Sequence, residues 1–437
     1  RNCEATPSSH PHLAQRASRN LIGASLTMQK KQSPLPAPVR IAPQGGARMR
    51  VLVTGGLGFI GTHTVKALLL RGHEARILDN LDPQIHPDDG ARRRLDPRVE
   101  CIIGDVRNPD DVALALRDID AVVHLAALTG VGQSMYEMRR YADVNCSGTA
   151  TLLDGIVRQG IRPRRFVLAS SRAIYGEGAY ACDQHGEIRV AKRDPVLLAR
   201  GVFAPRCPAC GAPVHTVPTR EDVLPQAASV YALTKLQQEQ QVGLAADTFG
   251  LPAVVLRYFN VYGSQQSLSN PYTGIATIFF ARARAGRAIE LYESGEPSRD
   301  FVHVSDVVAA NIAALEISHV PKANAAATAT FNVGSGVSTS VRQLAEVLSA
   351  AAGQTAPLVT TAMHRRGDIY ACYADITAAR SALGFTARVS LEEGMREFVR
   401  WAASQPCGDH SERAAAELSR LGLLTNAVVP AHVGDPQ

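Results

Sequence analysis

The heptapeptide Ser229-Val230-Tyr231-Ala232-Leu233-Thr234-Lys235 places a phenol and an amine four residues apart. On a helix they share a face, so the ammonium can draw the phenol toward ionisation and also hold a ribose hydroxyl. Upstream, Ala169-Ser170-Ser171-Arg172-Ala173-Ile174-Tyr175-Gly176 brings a serine hydroxyl to the end of an apolar run. There it can bridge the same substrate oxygen. Phenolate, hydroxyl and ammonium together make a proton relay for oxidising an alcohol while a nicotinamide takes hydride. Y-x-x-x-K alone is commonly a surface pair; a nucleotide-binding context is what gives it weight.

That context stands at Arg50 to Gly61, R-V-L-V-T-G-G-L-G-F-I-G. Val51, Leu52 and Val53 suit a buried parallel strand, and Gly55, Gly58 and Gly61 follow before a helical pattern. Side chains there would keep the turn from closing, hold the backbone away from a pyrophosphate, or block the helix from its strand. About twenty residues on, Ala75-Arg76-Ile77-Leu78-Asp79 reads as a second strand ending in an acid. A carboxylate there takes both hydroxyls of an adenosine ribose and repels a 2′-phosphate, so the expected cofactor is NAD rather than NADP.

A second reactive group lies between Tyr175 and Tyr231. Ala181-Cys182-Asp183-Gln184-His185-Gly186 and Arg206-Cys207-Pro208-Ala209-Cys210-Gly211 are two knuckles, C-x-x-H and C-P-x-C-G. Each can give a metal two ligands from one tight turn. Cys182, His185, Cys207 and Cys210 suit tetrahedral zinc, and a closed set of four predicts a structural site. Reduced surface thiols or a disulfide are the alternatives.

The elements that must position these groups alternate. Short Val/Ile/Leu runs at 51–53, 75–78, 99–103, 121–125, 165–169 and 253–257 are separated by helix-length segments. This predicts an α/β fold, a Rossmann-type doubly wound parallel sheet with helices on both faces. Asp105 and Ala126-Ala127 then fall at strand C-terminal ends, where ligands of such sheets collect.

With 437 residues, 46% hydrophobic and 20% charged, the chain can bury a large core. Its net charge of +6 is spread along the sequence, with Arg92-Arg93-Arg94 the densest run, so no nucleic-acid partner is expected. Neither a signal-peptide core nor a membrane span is visible, and a cytoplasmic location is the default expectation. Residues 1–48, rich in proline and without hydrophobic period, are expected to be a disordered extension ahead of Met49. Residues 403–437 read as a tail with one amphipathic patch, Arg413 to Leu424, and little function.

Taken together, T-G-G-L-G-F-I-G, G-D-V, H-L-A-A, V-N-C-S-G-T, S-S-R-A-I-Y-G, Y-A-L-T-K, R-Y-F-N-V-Y-G and R-D-F-V-H-V-S-D closely resemble the extended short-chain dehydrogenase/reductases, the nucleotide-sugar epimerase and dehydratase family. The resemblance runs from about Met49 to Trp401. It implies an NAD-binding Rossmann domain over 49–260, carrying the insert 177–226, and a smaller C-terminal α/β substrate-binding domain over 261–402. It implies Ser171, Tyr231 and Lys235 as the catalytic triad. Gly55, Gly58, Phe59, Ile60, Gly61, Asp79, Asn80, Asp105, Val106, Leu125, Ala126, Ala127, Asn145 and Tyr258, with Tyr231 and Lys235, would lie along the cofactor. Asn260, Arg299 and Arg365, with Ser171, would bind the substrate, a nucleotide-diphosphate sugar, the guanidinium forks gripping phosphate. Cys372 would gate the size of the sugar pocket or pack as a core cysteine. A homodimer through two helices of the larger domain is the family's habit.

Among the family's reactions, dehydration uses an acidic pair where this chain has Arg172-Ala173. Decarboxylation and reductive epimerisation ask for other acid-base residues or for NADP. A 4-epimerase needs only the triad and a retained NAD, so transient C4 oxidation and re-reduction is the expected reaction. S-S-R-A-I-Y-G-E-G, the cysteine insert and S-V-Y-A-L-T-K-L-Q-Q-E together resemble a branch of the family that acts on dTDP-L-rhamnose, which is the substrate this resemblance implies; UDP-hexoses or UDP-N-acetylhexosamines are the alternatives. A catalytically silent NAD-binding scaffold is the reading of another class.

Overall fold

The computed structural model describes residues 47–86, 90–93, 95–190, 192–270, 272, 274–318, 328–353 and 356–427. The segment expected to lack structure, residues 1–48, lies outside these except for Ala47 and Arg48.

Seven parallel strands form the main sheet: β1 (Arg50–Thr54), β2 (Glu74–Asp79), β3 (Glu100–Ile103), β4 (Ala121–His124), β5 (Arg165–Ser171), β6 (Ala253–Tyr258) and β7 (Thr328–Val333). Their order is β7-β6-β5-β4-β1-β2-β3. Because β1 pairs with β2 on one side and β4 on the other, the chain reverses direction across the sheet there and opens a crevice at the strands' C-terminal ends.

Alternation along the strands feeds two cores. Val51 and Val53 join one apolar cluster with Val65 and Leu68 of α1 (Phe59–Leu70). Leu52 joins the other, with Leu152 and Ile156 of α2 (Gly148–Arg158) and Val242 and Ala246 of α3 (Val230–Phe249). A fourth helix, α4 (Val304–Glu316), packs through Val304, Val307 and Val308 into the first cluster. Burial on both faces is what makes these strands continuous apolar runs.

All six strands expected from the hydrophobic runs form. The seventh differs from expectation: Thr330 to Val333, read as part of the smaller lobe, pairs with β6 from Thr328↔Ala253 to Val333↔Tyr258. Having left the sheet after Tyr258, the chain returns to cover its edge, burying Phe331 and Val333. The smaller lobe has its own core, Phe279, Phe280, Leu344, Leu348, Met395 and Phe398, between helices Ile275–Arg284, Val341–Ala352 and Leu391–Ala403.

Two further pieces complete the described chain. The insert forms a three-stranded antiparallel sheet, Gly186–Ile188, Ala179–Cys182 and His215–Val217, whose small core is Tyr180 and Val190 against Ala371. The C-terminal segment, expected to be a tail with one amphipathic patch and little function, forms helix Ser411–Arg420 and strand Leu424–Asn426, which pairs antiparallel with Met363–Arg365. Among the described residues no helix is long and apolar enough to cross a membrane.

Candidate active site

A cleft of about 2000 Å³ runs along the C-terminal edge of the sheet and under the smaller lobe. Its floor begins at the glycine turn. Gly55 has φ +67°, and a Cβ on it would stand 2.9 Å from the Ala126 nitrogen at the end of β4. On Gly61 a Cβ would stand 2.3 Å from the Gly55 carbonyl oxygen. Gly58 caps α1 with no side chain, and the helix has no acid in its first turn. The positive end of α1 is therefore bare and faces the cleft, which suits a pyrophosphate.

Asp79 ends β2 beside this turn, buried, its carboxylate accepting from Leu57 N at 3.0 Å and Leu81 N at 2.9 Å. Phe59, Ile60, Asn80, Val106, Leu125, Ala126, Ala127 and Tyr258 also line the cleft. Two expected cofactor residues do not. The Asp105 carboxylate is engaged by two residues that do line it, paired with Arg107 and accepting from Asn80, and Arg107 holds it down at about 2. Asn145 is fully buried: it accepts from Leu128 N at 2.8 Å and donates to Leu128 O and to Thr234, tying the loop after β4 to α3.

Ser171, Tyr231 and Lys235 come together at the centre of the cleft wall. Ser171 is the last residue of β5, and its Oγ accepts from Ala173 N at 3.2 Å. Ser229 caps α3, which sets Tyr231 in the first turn, hydrogen-bonded through its hydroxyl to Ser171. One turn on, Lys235 is buried and donates from Nζ to the Ala169 carbonyl at 2.8 Å. Burial pushes Tyr231 up, and the groups that draw it down are the Ser171 hydroxyl and the Arg172 guanidinium. Burial also pulls Lys235 down to about 7. The cation expected to acidify the phenol is Lys235; in the structure that cation is Arg172, also in the cleft wall, while burial weakens the charge on Lys235 itself.

Across the cleft, Asn260, Arg299 and Arg365 line the wall as expected. Asn260 Oδ1 and Arg365 Nε are buried without a hydrogen-bond partner in the protein. Arg299 donates to the carbonyls of Ser298, Ile369 and Tyr370. Arg365 stands 5.5 Å over the Tyr292 ring and 3.2 Å from Asp368. Cys372 is buried, with Thr219 Oγ1 at 3.7 Å from its sulfur, and is not among the residues that line the cleft, as its packing reading expects.

The C-terminal helix contributes residues that the sequence reading missed. Glu417 accepts from Tyr272 at 2.6 Å and from Tyr136 at 3.1 Å, and Leu418 and Leu424 line the cleft. The amphipathic patch was visible in sequence; nothing there named its partners.

Away from the cleft, the four knuckle residues converge. Their donor atoms all lie within 4.8 Å of one another. Cys182 Sγ is 3.6 Å from His185 Nδ1 and 3.7 Å from Cys210 Sγ, and Cys207 Sγ is 3.6 Å from His185 Nδ1. Ligands about 2.0–2.3 Å from a tetrahedral zinc would be spaced this way. Gly186 and Gly211, at φ +66° and +72°, close the two turns.

A dinucleotide crevice beside a serine, tyrosine and lysine defines an oxidoreductase-type Rossmann enzyme of the short-chain dehydrogenase kind. The profile of the NAD dependent epimerase/dehydratase family matches residues 51–196 and 200–334, and the chain belongs to that family. It is similar to dTDP-L-rhamnose 4-epimerase of Burkholderia thailandensis, 37% identical over 360 residues that cover 82% of this chain and 95% of that protein. It is also similar to the structure of UDP-glucose 4-epimerase with UDP-glucose from Thermotoga maritima, at 30% identity and TM-score 0.66, covering 81% of this chain and 99% of that one. UDP-glucose 4-epimerase of Thermus thermophilus, solved with NAD, is 28% identical with TM-score 0.64, over 82% and 100% of the two chains. The protein is an NAD-dependent nucleotide-sugar 4-epimerase.

Proposed function

We propose that the protein interconverts dTDP-L-rhamnose and dTDP-6-deoxy-L-talose by inversion at C4. The observation that carries the mechanism is the assembled Ser171, Tyr231 and Lys235 at a cleft whose wall has Arg172 where a dehydratase would carry an acid. Ionised Tyr231 takes the proton of the C4 hydroxyl, Ser171 holds that oxygen, and Lys235 holds the nicotinamide ribose. The glycine turn at Gly55, Gly58 and Gly61, with Asp79 and Lys235, would hold NAD, which would supply the hydride acceptor for oxidation at C4 and the donor for re-reduction on the opposite face. Asn260, Arg299 and Arg365 grip the diphosphate while the sugar turns. The buried Asn260 Oδ1, without a hydrogen-bond partner in the protein, supports that assignment, since it lacks a partner that a nucleotide sugar would provide.

The sugar rests on the relative at 37% identity. A UDP-hexose or UDP-N-acetylhexosamine is the second reading, favoured by the likeness to UDP-glucose 4-epimerase from Thermotoga maritima. Incubation with dTDP-L-rhamnose, UDP-glucose and UDP-N-acetylglucosamine, followed by NMR at C4, separates them: inversion of dTDP-L-rhamnose is expected, and its absence overturns the assignment. Absence of turnover on all three would leave the silent scaffold.

The same reading gives the insert a structural zinc on Cys182, His185, Cys207 and Cys210. One zinc per chain by elemental analysis, lost in Cys207→Ser, is the expected result. The protein acts as a homodimer, its contact made by α2 and α3; Leu233, Leu244 and Phe249, apolar yet exposed on α3, fit that face. Light scattering should give twice the chain mass.

A further inference from the structure

We infer that Arg193, from the cysteine insert, is a positioning residue that fixes the two guanidinium groups of the diphosphate site. This rests on the reading that Arg299 and Arg365 hold the diphosphate.

Arg193 is buried, its side chain 6% exposed, between two carboxylates that are each 4% exposed. It is hydrogen-bonded through Nη1 to Glu293, stands 3.4 Å from Glu177, and donates from Nη2 to the Asp368 carbonyl at 2.7 Å. Glu293 and Asp368 belong to segments that carry or support a phosphate-site arginine, and Glu177, itself at the start of the insert, grips the backbone of such a segment. Glu293 follows Tyr292, whose ring lies under Arg365. Asp368 pairs with Arg365 through its carboxylate, so one residue meets Arg193 with its backbone and Arg365 with its side chain. Glu177 accepts from Tyr370 N at 2.8 Å and Ala371 N at 3.4 Å, beside the Ile369 and Tyr370 carbonyls that receive Arg299.

The local backbone needs such a clamp. Glu293 and Ser294 sit at φ +50° and +62°, a left-handed conformation that is strained outside glycine. It persists only where surroundings over-determine it, and the buried ion pair to Arg193 is that constraint. The clamp reaches directly to the metal-ligand strand: Tyr180, two residues before Cys182, donates its hydroxyl to Glu177 at 2.7 Å and accepts from Ala371 N at 3.1 Å. The insert thus supplies both a cation and a hydroxyl to the wall that carries Arg299 and Arg365. Its four-ligand cluster anchors the strand on which Tyr180 stands.

The test uses the full-length protein with NAD bound. Arg193→Lys keeps the charge but can meet only part of the three-partner arrangement; Arg193→Met combined with Glu177→Gln and Glu293→Gln removes the clamp without stranding two buried carboxylates. Expected is a KM for the nucleotide sugar raised about tenfold or more, with kcat changed far less and the NAD content retained. Affinity for the free nucleoside diphosphate, dTDP or UDP by calorimetry, should fall by the same factor, with Arg193→Lys intermediate. Unchanged nucleoside diphosphate affinity in folded variants overturns the inference while leaving the diphosphate site standing. A wild-type protein that binds neither nucleoside diphosphate would instead overturn the diphosphate reading itself. If the triple variant does not fold, Arg193→Lys alone decides: KM and nucleoside diphosphate affinity equal to wild type refute the positioning role.

Discussion

Lys235 should cost the protein stability that its chemistry recovers only when NAD is bound. Its ammonium is 3% exposed, has one hydrogen-bond acceptor in Ala169 O, and is pulled by burial from 10.5 to about 7. A lysine whose folded pKa is depressed carries a penalty that is complete below the folded pKa. The penalty is relieved as pH rises toward the unfolded value, because there the unfolded chain holds a proton that the folded one lacks. At about 1.4 kcal/mol per pH unit, the gap from 10.5 to about 7 corresponds to about 5 kcal/mol. Lys235→Met fills the same space without charge but abandons the bond to Ala169 O, a loss of about 1–3 kcal/mol. The variant, stripped of NAD, should therefore be more stable than wild type by about 2–4 kcal/mol at pH 6. Its advantage should shrink by about 1.4 kcal/mol per pH unit from pH 7 upward and vanish near pH 9. Urea denaturation of both proteins at pH 6, 7, 8 and 9 measures this, and taking the difference at each pH cancels every other titrating group. A variant less stable at pH 6, or a difference that ignores pH, would refute the reasoning. Turnover should be lost in the variant in either case.

Tyr231→Phe should abolish C4 inversion while NAD remains bound, read by NMR and by cofactor content. Arg172→Ala should move the acid limb of the kcat profile to higher pH, because losing a cation raises the phenol and the phenolate is the proposed working form; Arg172→Lys should restore most of it. Gly61→Ala sets a methyl 2.3 Å from the Gly55 carbonyl, so the turn must open and NAD should be absent from a folded protein, checked by absorbance and thermal unfolding. With dTDP-D-glucose, no 4-keto-6-deoxy product should form, checked by its alkaline absorbance, since the wall beside Ser171 offers a guanidinium rather than an acid.

What could be read in sequence was local or periodic. Apolar runs bounded by turns fixed six strands, and the glycine spacing fixed the turn that a Cβ at Gly55 or Gly61 would break. The two knuckles each bring two ligands through three residues of backbone, so only their meeting, not their shape, depended on the fold. What escaped was long-range. β7 lies in the main sheet because the sheet edge needs covering, a demand that no residue in Thr328–Val333 announces. Arg193 meets Glu293 and Asp368 at sequence separations of 100 and 175, and neither partner is patterned toward it. Asn145 matches a motif whose family role is at the cofactor, yet its amide is fully used by Leu128 and Thr234. Motif position and side-chain direction are separate facts.

The choice of reaction on this fold comes down to which groups around the sugar can give up a proton. A guanidinium stays protonated throughout the working range, so Arg172 can attract charge but cannot act as an acid. Asp368, despite its burial, is held below the usual carboxylate range by Arg365, Arg299, Arg193 and Arg172, which keeps it a permanent anion. Burial raises Glu293, but its carboxylate is engaged by Arg193. Both of these carboxyls are therefore committed to cations, and the groups beside Ser171 that can exchange a proton are the Tyr231 hydroxyl and the Lys235 ammonium, the latter pulled by burial to about 7. One such group is enough to deprotonate and reprotonate the same oxygen at C4. Elimination of water needs a second acid to protonate the leaving hydroxyl, and these two carboxylates are spent on holding arginines. On the proposed assignment of Arg299 and Arg365 to the diphosphate, the network that orders that site would thus also limit the chemistry to a reversible oxidation at one carbon.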